Sequence, residues 1–250
     1  MGAITALEIH HKFKLHYDNV LSGAAPGLND YEISLYLTQA FKEIIYNAYN
    51  GNSKGEAVDD TERMKSLLSL LTNRLTLTKT GEVNSPIKTD TVQYPGFTFN
   101  KVILPEKVWF LLRENIVQNS TPVLVKPIAQ DEFWVILGNP HRQPNKYRAL
   151  RLDETSDSAT TRELIIVSYG EIQSYSATYI IKQPPIILST LTDILAGLTI
   201  EGTSAASIPT VVANTPWLAD MIINRAVELA TRDYKTNTLE TQLALNSRVE

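Results

Sequence analysis

The chain has 250 residues, of which 43% are hydrophobic and 20% are charged, a composition typical of a globular protein that builds one large or two small domains. The formal net charge of -4 at pH 7 excludes a broadly basic protein that coats nucleic acid, although a local basic patch remains compatible with it. The absence of cysteine excludes disulfides, thiolate metal sites and cysteine nucleophiles, and it fits synthesis in a reducing cytosol. No apolar stretch is long enough for a signal peptide or a membrane span, so neither secretion nor a membrane anchor is expected.

The first 73 residues are predicted to be helical. Residues 5–8 and 29–32 each have the spacing of a capping box, and they begin helices expected to end near Leu21 and at Asn50. Residues 22–27 separate these helices as a breaker, and Gly51 is the expected cap of the second one. Asp59 and Glu62 form a third cap-like pair ahead of a leucine-rich helix.

From Arg74 onwards, β-branched and aromatic residues occur in short runs separated by glycine and proline, which indicates strands. The predicted strands are 75–79, 97–104, 108–117, 122–128, 164–168 and 175–182, and the third could instead be a short helix. Residues 202–210 resemble a linker. Thr215 as a cap and Pro216 at the first helical position predict a final amphipathic helix.

Helices that are separated from strands along the sequence favour an α+β fold. We expect the N-terminal helices and the C-terminal helix to form a helical part beside a central antiparallel β-rich part. The predicted domains are a helical part over residues 1–73, a β-rich part over 74–204, and a C-terminal helix over 205–250 that packs back on the helical part.

Motifs of catalysis and of cofactor binding are absent from the sequence. His10 and His11 point about 100° apart on a helix, whereas two metal ligands on one helix stand three or four residues apart. The glycine-containing residues 51–55 follow a helix and lack the Gly-Lys-Ser/Thr ending of a phosphate loop. The acidic pairs at 59–60 and 131–132 favour a helix cap and a turn. We therefore expect no enzyme, no cofactor and no metal site, with a site on Asp131, Glu132 and His141 as the remaining enzymatic or ligand-binding alternative.

One local cluster of basic and aromatic residues stands out after residue 132. Basic side chains fall within eleven residues of a proline-interrupted loop, which is either a solvated loop or a contact for an acidic protein surface or DNA phosphates. An adjacent phenylalanine and tryptophan are interface candidates, because tryptophan is enriched at buried contacts between chains. The candidate partner or channel contacts are Phe133, Trp134, His141, Arg142, Lys146, Tyr147, Arg148 and Arg151.

Several blocks, taken in order, resemble the ring proteins of crAss-like bacteriophages. The blocks are residues 5–8 (TALE), 27–32 (GLNDYE), 125–128 (VKPI), 131–133 (DEF), 139–144 (NPHRQP), 149–153 (ALRLD), 179–188 (YIIKQPPIIL) and 225–230 (RAVELA). None of them is a chemical signature, so the likeness depends on their shared order from the start to the end of the chain.

This resemblance implies a virion structural protein without enzymatic activity, made in the host cytoplasm. Such proteins form rings, often twelvefold, in the head-to-tail connector or short tail between the portal and the distal tail, around the channel through which DNA is ejected. The expected partners are copies of the same chain, the portal protein and other tail or ring proteins, with at most transient contact with phage DNA. The alternative within the same class is a tail-tube or completion protein.

Overall fold

A computed structural model of the chain describes residues 3–21, 27–50, 58–80, 85–89, 96–154, 162–191 and 197–246. The helices of these residues are α1 (Ala6–Leu21), α2 (Asp30–Asn50), α3 (Val58–Leu71), α4 (Phe133–Leu137), α5 (Thr210–Asn214) and α6 (Pro216–Asn246). The strands are β1 (Thr72–Thr78), β2 (Ile87–Thr89), β3 (Thr98–Leu104), β4 (Val108–Gln118), β5 (Thr121–Pro127), β6 (Arg148–Glu154), β7 (Arg162–Ser168) and β8 (Ile172–Ile181). None of the described helices is both long enough and apolar enough to span a lipid bilayer.

The chain divides into two compact units, a helical unit of residues 1–70 with 183–250 and a β unit of residues 71–182. The fold is α+β, as predicted from the sequence. The division into domains at 1–73, 74–204 and 205–250 stays a prediction.

Reciprocal hydrogen bonds begin the first two helices of the helical unit. The Thr5 N–H donates to Glu8 Oε2 at 2.8 Å and the Glu8 N–H donates to Thr5 Oγ1 at 3.3 Å. The same pair of bonds joins Asn29 and Glu32, each at 2.9 Å. Both capping boxes predicted from residues 5–8 and 29–32 are therefore confirmed. Helix α6 packs against both α1 and α2.

The predicted third cap at Asp59 lies inside α3, because that helix begins at Val58. Residues 22–26 of the predicted breaker at 22–27, and the predicted cap at Gly51, fall outside the described residues. The predicted linker, residues 202–210, instead belongs to the helical unit: Ser207 pairs with Ile187, and α5 begins at Thr210.

The segment that follows β8 is joined to α2 by hydrogen bonds at Ile186 and Leu188. The Thr38 hydroxyl donates to the Ile186 carbonyl at 3.2 Å and accepts the Ile186 N–H at 3.0 Å. One turn earlier, Ser34 Oγ accepts the Leu188 N–H at 3.1 Å. Both hydroxyl residues are buried in α2, so they satisfy the backbone groups of Ile186 and Leu188 on either side of Ile187, which pairs with Ser207.

The described strands form one eight-stranded sheet with the order β1-β8-β4-β5-β6-β7-β3-β2. Neighbouring strands are antiparallel except for β5 and β6, which are parallel. The prediction of an antiparallel β part is wrong for this one pairing. The reason is that residues 128–147 contain α4 and carry the chain back to the other end of the sheet, which is what a parallel pair requires.

The sheet rolls up around a core of its own. One hydrophobic cluster takes side chains from every strand, among them Leu75, Ile87, Val102, Ile116, Val123, Ala149, Leu164 and Tyr175. At the two edges of the sheet, Lys79 Nζ just after β1 donates to Thr89 Oγ1 of β2 at 3.0 Å. The sheet is therefore nearly closed, and strands that stand four positions apart in the order turn their outer faces in opposite directions.

All six predicted strands exist, with ends displaced by a few residues. The segment at 108–117 is a strand and not a helix. The sequence did not predict β2, β6, α4 or α5, and β6 begins at Arg148, inside the segment interpreted as a basic loop.

Candidate functional site

The short helix α4 lies on the outer face of β3, β6 and β7. Its residues Phe133, Ile136 and Leu137 are buried in a small cluster with Phe99, Leu150, Leu152 and Val167. The rings of Phe133 and Phe99 meet edge to face with their centroids 6.1 Å apart. The opposite side of the helix is open, since Trp134 is 63% exposed and Val135 is 70% exposed. Phe133 therefore anchors α4, and Trp134 is displayed on the surface of the β unit.

The loop between α4 and β6 is held in shape by Arg148. Its guanidinium donates to the backbone carbonyls of His141 at 2.9 Å and Gln143 at 3.0 Å. Two asparagine side chains close tight turns in the same loop, Asn139 by accepting the His141 N–H at 3.0 Å and Asn145 by accepting the Tyr147 N–H at 2.8 Å. Arg148 thus satisfies loop carbonyls, which fixes the backbone on which the neighbouring side chains are carried.

The remaining basic and aromatic candidates are exposed on this loop. His141, Arg142 and Lys146 are all exposed, and the Lys146 ammonium lies 4.9 Å from the centroid of the Tyr147 ring, which is itself 66% exposed. Beside them is an open depression of about 670 Å³ whose walls include Phe97, Leu137, Pro144 and Tyr169. The loop and α4 together expose cations and large apolar side chains, a combination enriched at protein interfaces.

Arg151 lies apart from these residues, on the inner side of the rolled sheet. It forms an ion pair with Glu114 of β4, whose side chain is only 5% exposed, while the Arg151 side chain is 11% exposed. The Tyr175 hydroxyl donates to the other oxygen of Glu114 at 2.9 Å. Arg151 Nε also lies 3.3 Å from Asp153 Oδ1. The sequence did not reveal this buried network, because its partners are distant along the chain.

The electrostatics of the network are dominated by burial. Burial raises the pKa of the Glu114 carboxyl, and the Arg151 guanidinium and the Tyr175 hydroxyl oppose this by stabilising the carboxylate. Burial, followed by the neighbouring Glu114 carboxylate, raises the pKa of Tyr175, so its hydroxyl remains a proton donor. Each oxygen of the Glu114 carboxyl has a partner, whereas Arg151 Nε is buried without a hydrogen bond among the described residues, and the network joins β4, β6 and β8.

The enzymatic alternative rested on Asp131, Glu132 and His141. The two carboxylates are exposed in the turn before α4, and His141 is exposed in the following loop. Among the contacts of the described residues, no side-chain hydrogen bond or ion pair joins any two of the three. No described group of three or more histidine, aspartate or glutamate side chains is arranged to hold a metal ion.

Comparison with known proteins gives the family. Residues 4–242 match the family model described as phage tail ring protein 3/4. The chain belongs to this family. It is 31% identical over 247 residues to ring protein 4/5 of Bacteroides phage crAss001, covering 97% of this chain and 98% of that protein. It is also 31% identical over 215 residues to ring protein 3 of the same phage, covering 81% of this chain and 84% of that protein.

The family match confirms the resemblance carried by the ordered sequence blocks. Since residues 4–242 include both compact units, the likeness is a property of the whole phage ring protein and not of one shared domain. The chain is a bacteriophage structural ring protein, and the exposed surface on α4 and its loop is part of that ring protein's β unit.

Proposed function

We propose that this ring protein assembles with copies of itself into a closed ring, twelvefold by the sequence resemblance, in the head-to-tail connector or short tail of the virion. The ring lies between the portal and the distal tail and surrounds the channel through which DNA is ejected. The observation that carries the proposal is the match of residues 4–242 to the phage tail ring protein family. The role is structural, and it requires no catalytic group.

A closed ring needs two different surfaces on each subunit, because a head-to-tail contact must repeat until the rotation closes. The exposed side of α4 and its loop offers one such surface. Trp134 and Tyr147 supply large apolar area there, and Arg142 and Lys146 supply charge at its edge. We propose that these residues contact a neighbouring protein, either a copy of this chain, the portal protein or another ring or tail protein.

Any contact with DNA is proposed to be transient. The loop exposes only a few cations, and each copy carries a net charge of -4, so a ring of copies attracts phosphates weakly. Weak attraction suits a channel through which DNA must slide, since tight phosphate binding opposes ejection.

Native mass spectrometry of the purified chain, alone and mixed with the portal and tail proteins of its phage, tests this function. The expected result is a discrete ring or a partner-dependent oligomer of fixed copy number. The variant Trp134→Ala should weaken this assembly, while Leu15→Ala, which shortens an exposed apolar residue of α1, should not. A chain that stays monomeric in every mixture contradicts the proposal.

A further inference from the structure

A polar groove lies on the outer face of β1, β8 and β4. The strand register places Arg74 and Arg113 on either side of Thr178, and it places Thr76 beside Ser176. Together with Ser174, these side chains line a concavity of about 430 Å³. We name this surface the arginine groove, defined by Arg74, Thr76, Arg113, Ser174, Ser176 and Thr178.

The arginine groove is built to receive anionic groups. Arg74 and Arg113 are both exposed, and no carboxylate of the described residues lies within ion-pair distance of either guanidinium. The two arginines stand two strands apart, a spacing of about 10 Å between their backbones. Between them, hydroxyl groups offer further hydrogen-bond donors. Two carboxylates from one partner segment therefore fit the groove better than a single ion does.

The same chain carries a matching segment, the acidic tip, defined by Asp131, Glu132 and Trp134. Both carboxylates are exposed in the turn before α4, and no cation of the described residues lies within ion-pair distance of either. Trp134, the second residue of α4, is largely exposed. An arginine can pair its planar guanidinium with a carboxylate and stack on an indole ring at the same time.

The two surfaces face in opposite directions. The arginine groove is centred on β8, the second strand in the sheet order, and α4 packs on β7, the sixth strand, and on its two neighbours. In a nearly closed sheet of eight strands, a separation of four positions places them on opposite sides of the roll. Opposite placement of two complementary surfaces is the geometry that a head-to-tail ring requires.

We propose that the acidic tip of one copy enters the arginine groove of the next copy, and that this contact repeats around the ring. The inference rests on the proposed function and names the interface that produces it. Complementary charges on one chain select a second copy as the occupant, since Asp131 and Glu132 supply the carboxylates that Arg74 and Arg113 lack in the described residues.

Charge reversal on each surface tests the contact. The groove variant carries Arg74→Glu and Arg113→Glu, and the tip variant carries Asp131→Lys and Glu132→Lys. Each variant alone places like charges against each other, so the concentration needed for ring formation should rise at least about tenfold. An equimolar mixture should assemble again into rings with an even number of subunits, because every groove then meets a tip of opposite charge. A chain with all four substitutions should also assemble.

Single charge reversals, each half the change in net charge of a groove or tip variant, separate the contact from a general effect of charge. Lys126→Glu and Glu106→Lys change exposed charges elsewhere on the β unit and should leave assembly unchanged. Circular dichroism and the unfolding midpoint establish that each variant is folded. Native mass spectrometry, in the mixture in which the unmodified chain forms its ring, gives the copy number.

Three results overturn the inference. One is normal assembly of the groove and tip variants, and another is a mixture that stays unassembled although both variants are folded. The third is a groove variant that assembles normally but no longer binds a fluorescent DNA duplex, which makes the groove a phosphate site. An unmodified chain that never oligomerises with its portal and tail proteins overturns the proposed function as well, so the two failures are distinguishable.

Discussion

Removing the buried carboxylate of Glu114 should destabilise the β unit strongly. In the variant Glu114→Ala, the Arg151 guanidinium stays inside the rolled sheet and keeps only the contact with Asp153, and the Tyr175 hydroxyl loses its acceptor. Leaving a buried charge without its partner costs about 3–5 kcal/mol. For a chain of this length each kcal/mol lowers the unfolding temperature by about 2–4 °C, so we expect a fall of about 6–20 °C.

Substitution of Arg151, the ion-pair partner of Glu114, should destabilise the β unit less than substitution of Glu114 does. Arg151→Met removes the buried cation at similar volume, and the Glu114 carboxyl can then become neutral because its pKa is already raised by burial. We therefore expect Arg151→Met to cost less than Glu114→Ala, and Glu114→Gln combined with Arg151→Met to cost less still. Thermal unfolding followed by circular dichroism measures all three. A loss below about 1 kcal/mol for Glu114→Ala, the range of an exposed pair, would refute the reasoning.

Because the folded-state pKa of Glu114 is raised, its contribution to stability is full below the unfolded pKa and is lost as pH rises through the folded pKa. The urea midpoint of the wild type relative to Glu114→Gln should therefore fall as the pH rises above the ordinary carboxyl pKa of 4.5. Asn29→Ala removes the side-chain half of a capping box and should cost about 1 kcal/mol in urea unfolding, whereas Asn29→Gly should cost only a few tenths. Thr38→Val leaves Ile186 without both hydroxyl contacts and should cost about 1–3 kcal/mol, and faster hydrogen exchange at the Ile186 amide would locate the effect.

The helices could be predicted because their signals are local. A capping box consists of two side chains three residues apart, and the bonds found at Thr5 and Asn29 are the ones that this spacing predicts. Pro216 at the first position of α6 acts in the same local way. Helix α4 escaped prediction because five residues are too few to show a helical period.

The pairing of the strands could not be predicted, because it depends on contacts between distant residues. Strand β6 contains Arg148 and Arg151 and lies between proline-rich and polar segments, so its composition resembled that of a loop. It becomes a strand because β5 and β7 hydrogen-bond to its two sides. The parallel pairing of β5 with β6 depends in turn on α4, which reverses the direction of the connection.

The exposure of the candidate contact residues could not be predicted either, because it also depends on residues that are distant along the chain. Phe133 and Trp134 are consecutive on a helix and therefore face directions about 100° apart, and only packing against Phe99 decides that the first is buried and the second exposed. Arg151 was grouped with the exposed cations by its position in the sequence. Its burial is decided by Glu114, a residue of β4 on the far side of β5 in the sheet.

In the proposed ring, the interfaces between copies need complementary charges, whereas the channel needs a surface that does not bind DNA tightly. Copies that each carry a net charge of -4 repel one another at long range, so a stable ring needs complementary charges at short range. These charges are supplied where Arg74 and Arg113 face Asp131 and Glu132 of the next copy. The four side chains of each contact have a total charge of zero. Closing the ring therefore leaves its overall negative charge unchanged. The negative net charge of the proposed ring weakens its attraction for DNA phosphates, which allows DNA to pass without being held.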